Sequence, residues 1–270
     1  GWIDFKIDDK NVNLLQAPLL KTLRASMKKV DSTCTYWSLC FFSGSEFEVD
    51  LFVTLSQTKL DKKNAISIAI WQSLEGMEAP AQAILNSASQ WLRGSNTLCI
   101  DAYQQRNNRY LAVDGNGLSM ISEAHAQSTF ERSVLLLALA TAYQIRMEAL
   151  TNELASWGGC NKELAQLSEK ASKFNAMFYF RHPAVLKGVE LPNVWDEIAK
   201  RMRINEQDLE LNEQLRALHQ IINEKHRNAT NNRWQIISLA LGIISAVQVL
   251  GLLPETLRNS WFYQLTGLLP

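Results

Sequence analysis

From Trp234 to Pro254 the chain carries no charged residue, and this run limits what it can fold into more than any other feature. An α-helix rises 1.5 Å per residue, so about 20 apolar residues cross a hydrocarbon core about 30 Å thick. The competing reading is a buried helix of a soluble core, which Gln235 and Gln248 favour. Core helices seldom run this far without a charge, so residues 234–254 are expected to form a transmembrane helix.

The flanks suggest an orientation. Lys225, His226, Arg227 and Arg233 precede the run, whereas Glu255 and Arg258 follow it. Positive residues beside a span stay on the cytoplasmic side, so the preceding part is expected in the cytosol, or in the matrix if the source is mitochondrial. The expected location is the inner or plasma membrane. Trp234 at the near end, and Trp261, Phe262 and Tyr263 past the far end, suit the aromatic belts of a bilayer. The first residues show no basic stretch leading into an apolar core, so no signal peptide is expected.

Lys plus Arg and Asp plus Glu number 27 each, giving zero formal net charge. Nucleic acid is therefore not an expected partner, since its binding needs a basic surface to displace counterions. Cys34, Cys40, Cys99 and Cys160 lack the short gaps of a zinc knuckle or redox pair, and His125, His182, His219 and His226 are scattered. The even separation of Cys34 and Cys40 would place both on one strand face. Buried reduced thiols are the expectation, with no metal and no cofactor.

Along the chain the fold class reads as α+β. A mixed α/β head is expected over 1–127, a helical bundle and stalk over 128–233, and the span over 234–254. Residues 255–270 are a short tail or the start of a second membrane segment. In the head, residues 2–7 alternate like a strand. Leu15, Leu19, Leu20, Leu23 and Met27 have helical spacing, predicting a helix over 14–30. Two β-rich runs, 35–42 and 47–55, flank Ser43-Gly44-Ser45 and predict a hairpin. A helix is expected over 79–91, with Pro80 early and Gly94 just past its end. Residues 98–103, 110–113 and 118–121 read as strands, the last two joined by a turn at Asp114-Gly115-Asn116-Gly117.

From Phe130 the pattern becomes helical. One long helix is expected over 131–157, with an almost purely apolar stretch at 134–142. Arg132 and Arg146 bracket too short a run to span a bilayer, so this helix is expected at the centre of the bundle. Gly158-Gly159 ends it, a second helix covers 161–180, and an irregular link runs from Arg181 to Pro192. A segment over 193–203 comes next and then a longer one. No Gly or Pro interrupts from Val194 to Arg233, so the simplest geometry is a stalk helix running straight into the membrane. Leu211, Leu215, Leu218 and Ile222 step by four, three and four, a seam suited to bundle packing or to self-association.

Several short stretches carry a resemblance. Val194-Trp195-Asp196-Glu197-Ile198, Leu211-Asn212-Glu213-Gln214-Leu215, Asn223-Glu224-Lys225-His226 and Asn232-Arg233-Trp234-Gln235-Ile236-Ile237 stand in this order. Together they resemble the C-terminal part of the "required for meiotic nuclear division" family of membrane proteins, over roughly 174–253. The plan of head, long helices and C-terminal span is also similar to CorA-type membrane proteins, which implies a homo-oligomer. The chain lacks the Gly-Met-Asn that follows the first span of CorA-type magnesium channels, so the resemblance does not extend to magnesium transport.

No metalloprotease, nucleophile-elbow or phosphate-loop motif occurs, and the expectation is that the protein is not an enzyme, with no catalytic residues to name. The span is more informative. At about 100° per residue, Gln235, Ser238, Gly242, Ser245 and Gln248 fall within a sector of about 140°. Ile236, Ile243, Val247 and Leu250 lie on the other side. Such a stripe lets helices pack closely and hydrogen-bond, or lines a narrow pore. The expected protein is a membrane-anchored, CorA-like oligomer whose head senses a ligand or cytosolic partner, a pore-forming or membrane-perturbing effector. The alternatives are a non-conducting scaffold tethering a cytosolic protein and a membrane-tethered enzyme.

Overall fold

The computed structural model describes residues 14–29, 35–54, 65–66, 68–73, 80–106, 109–114, 117–122, 127–185 and 190–252. The expected strand at 2–7, Cys34 and residues 253–270 lie outside them. The chain divides into two compact units, Gly1–Glu213 and Gln214–Pro270. The first is α+β.

Its first sheet has strand order β1-β2-β3-β4, with β1 (Arg24–Lys29), β2 (Thr35–Phe41) and β3 (Val49–Thr54) antiparallel and β4 (Ala65–Ile66) parallel to β3. The hairpin expected around Ser43-Gly44-Ser45 is β2–β3. Alternation sets its faces: Trp37, Leu39, Phe41, Val49, Leu51 and Val53 are buried, whereas Asp50 is exposed. Gly44 takes φ 76 in the turn, a conformation that costs glycine nothing.

The helix expected over 14–30 is confined to α1 (Ala17–Thr22). Leu15 and Leu19 are buried as the spacing predicted, but from Leu23 the backbone extends. Arg24–Lys29 then pairs residue by residue with β2, from Arg24–Cys40 to Lys29–Thr35. A six-pair ladder outweighs the helix propensity of Arg, Ala, Met and Lys, which is high but is readily overridden by tertiary pairing.

The second sheet has the order β5-β8-β7-β6: β5 (Ile68–Ser73), β8 (Gly117–Ser122), β7 (Arg109–Asp114) and β6 (Gln104–Arg106). β8 lies parallel to β5 and antiparallel to β7, and every residue of β8 is buried. α2 (Gln82–Arg93) lays Leu85, Ala88 and Leu92 on this sheet, among Leu98, Tyr103, Tyr110, Ala112 and Ile121. Gly94 closes α2 in the left-handed conformation, as its position past the helix suggested.

Residues 98–103 do not form the expected strand. They make a 3₁₀ turn at Ile100–Ala102, and the strand begins only at Gln104. The two ends of the turn are pinned inward. Leu98 N–H donates to the buried Ser89 hydroxyl at 2.9 Å, and the Tyr103 and Ser119 hydroxyls pair at 3.1 Å.

α3 (Gln127–Ala155) is the centre of the unit. Each residue from Val134 to Ala140 is at most 2% exposed, because β2, β3, β8, α4 (Asn161–Met177) and α5 (Glu190–Arg201) cover it. A helix apolar on every side needs such cover. Its stretch Ser128–Ala155 is long and apolar enough to cross a membrane by length and composition, but 61% of that window is buried inside the fold.

The link expected from Arg181 to Pro192 is shifted rather than shortened, because α4 ends at Met177 and not at residue 180. α5 begins at Glu190 and takes Pro192 into its first turn, where no backbone N–H is needed. The segment expected over 193–203 corresponds to α5, and helix does not run unbroken beyond it. α5 ends at Arg201, and α6 (Ile204–Leu252) starts after Arg203, whose φ of 55 reverses the backbone without a glycine. The fully buried Ile204 and bonds from α4 and its end to the first turns of α6 hold this bend: Tyr179 hydroxyl donates to Asn205 Oδ1 at 2.9 Å, and Asn175 Nδ2 to Asp208 Oδ1 at 3.0 Å.

Candidate functional site

The residues singled out in the sequence all lie on α6. Of the seam, Leu211 and Leu215 are buried and Leu218 half-buried; the side chain of Ile222 lies outside the described residues. Of the polar stripe, Gln235, Ser238, Gly242 and Ser245 are exposed, and the Gln248 side chain lies outside the description. A Cβ added at Gly242 would meet nothing within 4 Å. Ser245 Oγ donates to the Leu241 carbonyl at 2.9 Å, so its hydroxyl is satisfied within the helix.

The apolar residues beside the stripe are exposed too. Trp234 is 63% exposed, Ile236 67%, Ile237 46%, Leu239 68% and Leu241 59%. Among the described side chains, residues 234–242 and Ser245 are all exposed. Residues 234–252 rise about 28 Å as helix, close to the thickness of a hydrocarbon core.

The head holds a polar group that sequence reading missed. Cys40 Sγ and carboxylate oxygens of Glu48 and Asp50 lie within 4.8 Å of one another. The β2–β3 register pairs Cys40 with Asp50, and the two-residue period places Glu48 on the same face. Burial pushes the Cys40 thiol up to about 11; the Ser43 hydroxyl opposes this, while Asp50 and Glu48 add to it. The thiol is thus protonated at neutral pH and a poor nucleophile. Glu48 is held below the usual carboxylate range, chiefly by the Gly44 N–H at 2.8 Å. The signal was the turn length, which fixes the cross-strand register.

The expectation of buried thiols fails for Cys99 and Cys160, which are exposed, and Cys40 is only half-buried. Cys99 precedes the 3₁₀ turn and Cys160 caps α4, both surface junctions.

Three helices clamp the turn beside this polar group. Arg146 of α3 donates from Nε to the Phe47 carbonyl at 2.7 Å and from Nη2 to the Glu48 carbonyl. Lys173 of α4 pairs with Glu46 at 2.8 Å, and Ser43 N–H donates to Thr22 of α1. The clamp holds Phe42 at φ 58, a costly conformation for a bulky residue, with its ring stacked on Tyr143 at 5.9 Å. Phe47, Phe174, Phe178, Tyr179 and Trp195 complete an aromatic core around Phe42 and Tyr143. Tyr143 hydroxyl donates to the Phe178 carbonyl at 2.7 Å and accepts from Phe180 N–H at 3.3 Å, and burial holds it far above the usual phenol range.

No protein-family model matches this chain, and neither a curated protein nor a solved structure matches it.

Proposed function

We propose that the protein is anchored in a membrane by residues 234–254, with the Gly1–Glu213 unit as a cytosolic head and the intervening part of α6 as a stalk. The observation that carries this reading is the exposure of Trp234, Ile236, Ile237, Leu239 and Leu241 on an uncharged helical stretch. Apolar surface in water costs about 25 cal/mol per Å², and a bilayer removes that cost. The alternative of a core helix needs a covering surface for these five side chains.

On this reading the protein is a homo-oligomer of CorA-like plan, its spans meeting along Gln235, Ser238, Gly242, Ser245 and Gln248. The head receives a ligand or protein signal, and the membrane part responds by changing permeability, as an effector in stress or antiviral defence would. The alternative is a non-conducting membrane scaffold tethering a cytosolic partner.

Fractionation tests the anchor. The full chain should pellet with membranes and dissolve only in detergent, and a chain ending at Ala229 should be soluble. Recovery of the full chain in the detergent-free supernatant would overturn the proposal. Ion flux through purified protein in liposomes separates effector from scaffold.

A further inference from the structure

Charge is sorted along α6. Its first stretch, 204–213, carries Glu206, Asp208, Glu210 and Glu213 and no Lys or Arg. The next, 214–233, carries Arg216, Lys225, Arg227 and Arg233 against the single acid Glu224. The described remainder of the helix, 234–252, has no charge at all.

Of the acids only Glu206 lies in the first turn, where it suits the positive end of the helix dipole, and the bases have no such explanation, because they lie far from the last turn. Nor does helical pairing account for them. No Asp or Glu stands three or four positions from Lys225 or Arg233, and only Glu224 stands so placed for Arg227. Three basic residues therefore gather at one end of an exposed apolar segment with little compensating charge beside them.

We infer that Lys225, Arg227 and Arg233 form a binding surface for anionic phospholipid headgroups where α6 meets the bilayer. The inference rests on the membrane reading above. Arg233 adjoins Trp234, Arg227 lies about 10 Å along the helix from it and Lys225 about 13 Å. The headgroup layer is about 5–8 Å deep, and long basic side chains reach down towards it along their stems. Each basic residue held near an anionic surface strengthens attraction by about a factor of five.

Trp234 reports on this directly. The full chain carrying Trp261→Phe is reconstituted in phosphatidylcholine vesicles containing either brominated phosphatidylglycerol or brominated phosphatidylcholine. Bromine quenches tryptophan on contact, and the same chain with Trp234→Phe supplies the blank. The expected result is a preference for the glycerol lipid of about five-fold or more. It should fall towards one in 1 M salt and in the triple variant Lys225→Gln, Arg227→Gln, Arg233→Gln, with helix content by circular dichroism unchanged. Equal quenching by both lipids, or a preference that survives the triple variant, overturns the inference and leaves the anchor standing. Quenching of Trp234 by neither lipid overturns the anchor itself, and the inference with it.

Discussion

Replacing Tyr143 with Phe removes a single oxygen from the centre of the head, and the geometry fixes what that costs. The hydroxyl donates to the Phe178 carbonyl and accepts from Phe180 N–H, so the change leaves two backbone groups without this partner at the end of α4. Each group left unsatisfied in a buried position costs about 1–3 kcal/mol, and partial access of water to Phe180 puts the sum at about 2 kcal/mol. Shape is preserved, so the ring still stacks on Phe42 and meets Trp195 edge-on, and no cavity opens. For a unit of this size 1 kcal/mol shifts the melting temperature by about 2–4 °C, which predicts a fall of about 4–8 °C. Differential scanning fluorimetry of the full chain in detergent reads this directly. Tyr179→Phe is the control: its hydroxyl donates only to the Asn205 side chain, in a half-buried position, and the loss should be under about 1 kcal/mol. Equal losses from the two changes, or none from Tyr143→Phe, would refute the account of this core.

The remaining expectations concern α6. Arg203→Gly should be neutral or raise the melting temperature slightly, since glycine adopts φ 55 without the cost of about 1 kcal/mol that an L side chain bears there; a clear fall would show that the Arg203 side chain matters more than its backbone. Burial holds the Asp208 carboxyl above the usual aspartate range, against bonds from Asn175 and Asn212. Its contribution to stability is thus complete below the ordinary aspartate pKa and is lost as pH rises through the raised value. Asp208→Asn should flatten that part of the pH–stability curve, and an unchanged slope would exclude Asp208 as the cause. In detergent, Gly242→Leu should weaken self-association by light scattering or cross-linking and Ile243→Leu should not; equal effects would show that the polar stripe is not the contact face.

Sequence reading succeeded where one period dominated. Alternation over 35–55 gave the β2–β3 hairpin, and the apolar block at 134–142 gave the central helix with its burial. It failed where distant partners decide the local structure. The stretch 24–29 has helix-forming residues but becomes a strand because β2 lies beside it. The 3₁₀ turn at 100–102 follows from Ser89 and Ser119, residues 9 and 16 positions from their partners. The segments on either side of Arg203 are separable in the sequence, but the reversal between them carries no glycine or proline and is not expected from it. Of the candidate residues, the seam could be recognised by its spacing, and Leu211 and Leu215 are buried. The Cys40, Glu48 and Asp50 group was hidden because it exists only once the cross-strand register is set.

The short strands β4 and β5 follow one another along the chain, yet β4 lies parallel to β3 in one sheet and β5 parallel to β8 in the other. A single stretch therefore serves as the outer strand of both sheets. Antiparallel neighbours such as β7 and β8 stand only two residues apart in the chain and can pair early, whereas parallel pairing must wait for a long loop to close. The segment 65–73 is thus expected to dock late in folding, completing both sheets at once. Pulse-labelled hydrogen exchange should show protection there lagging behind the two hairpins. Pulling this stretch free would strip an edge strand from each sheet.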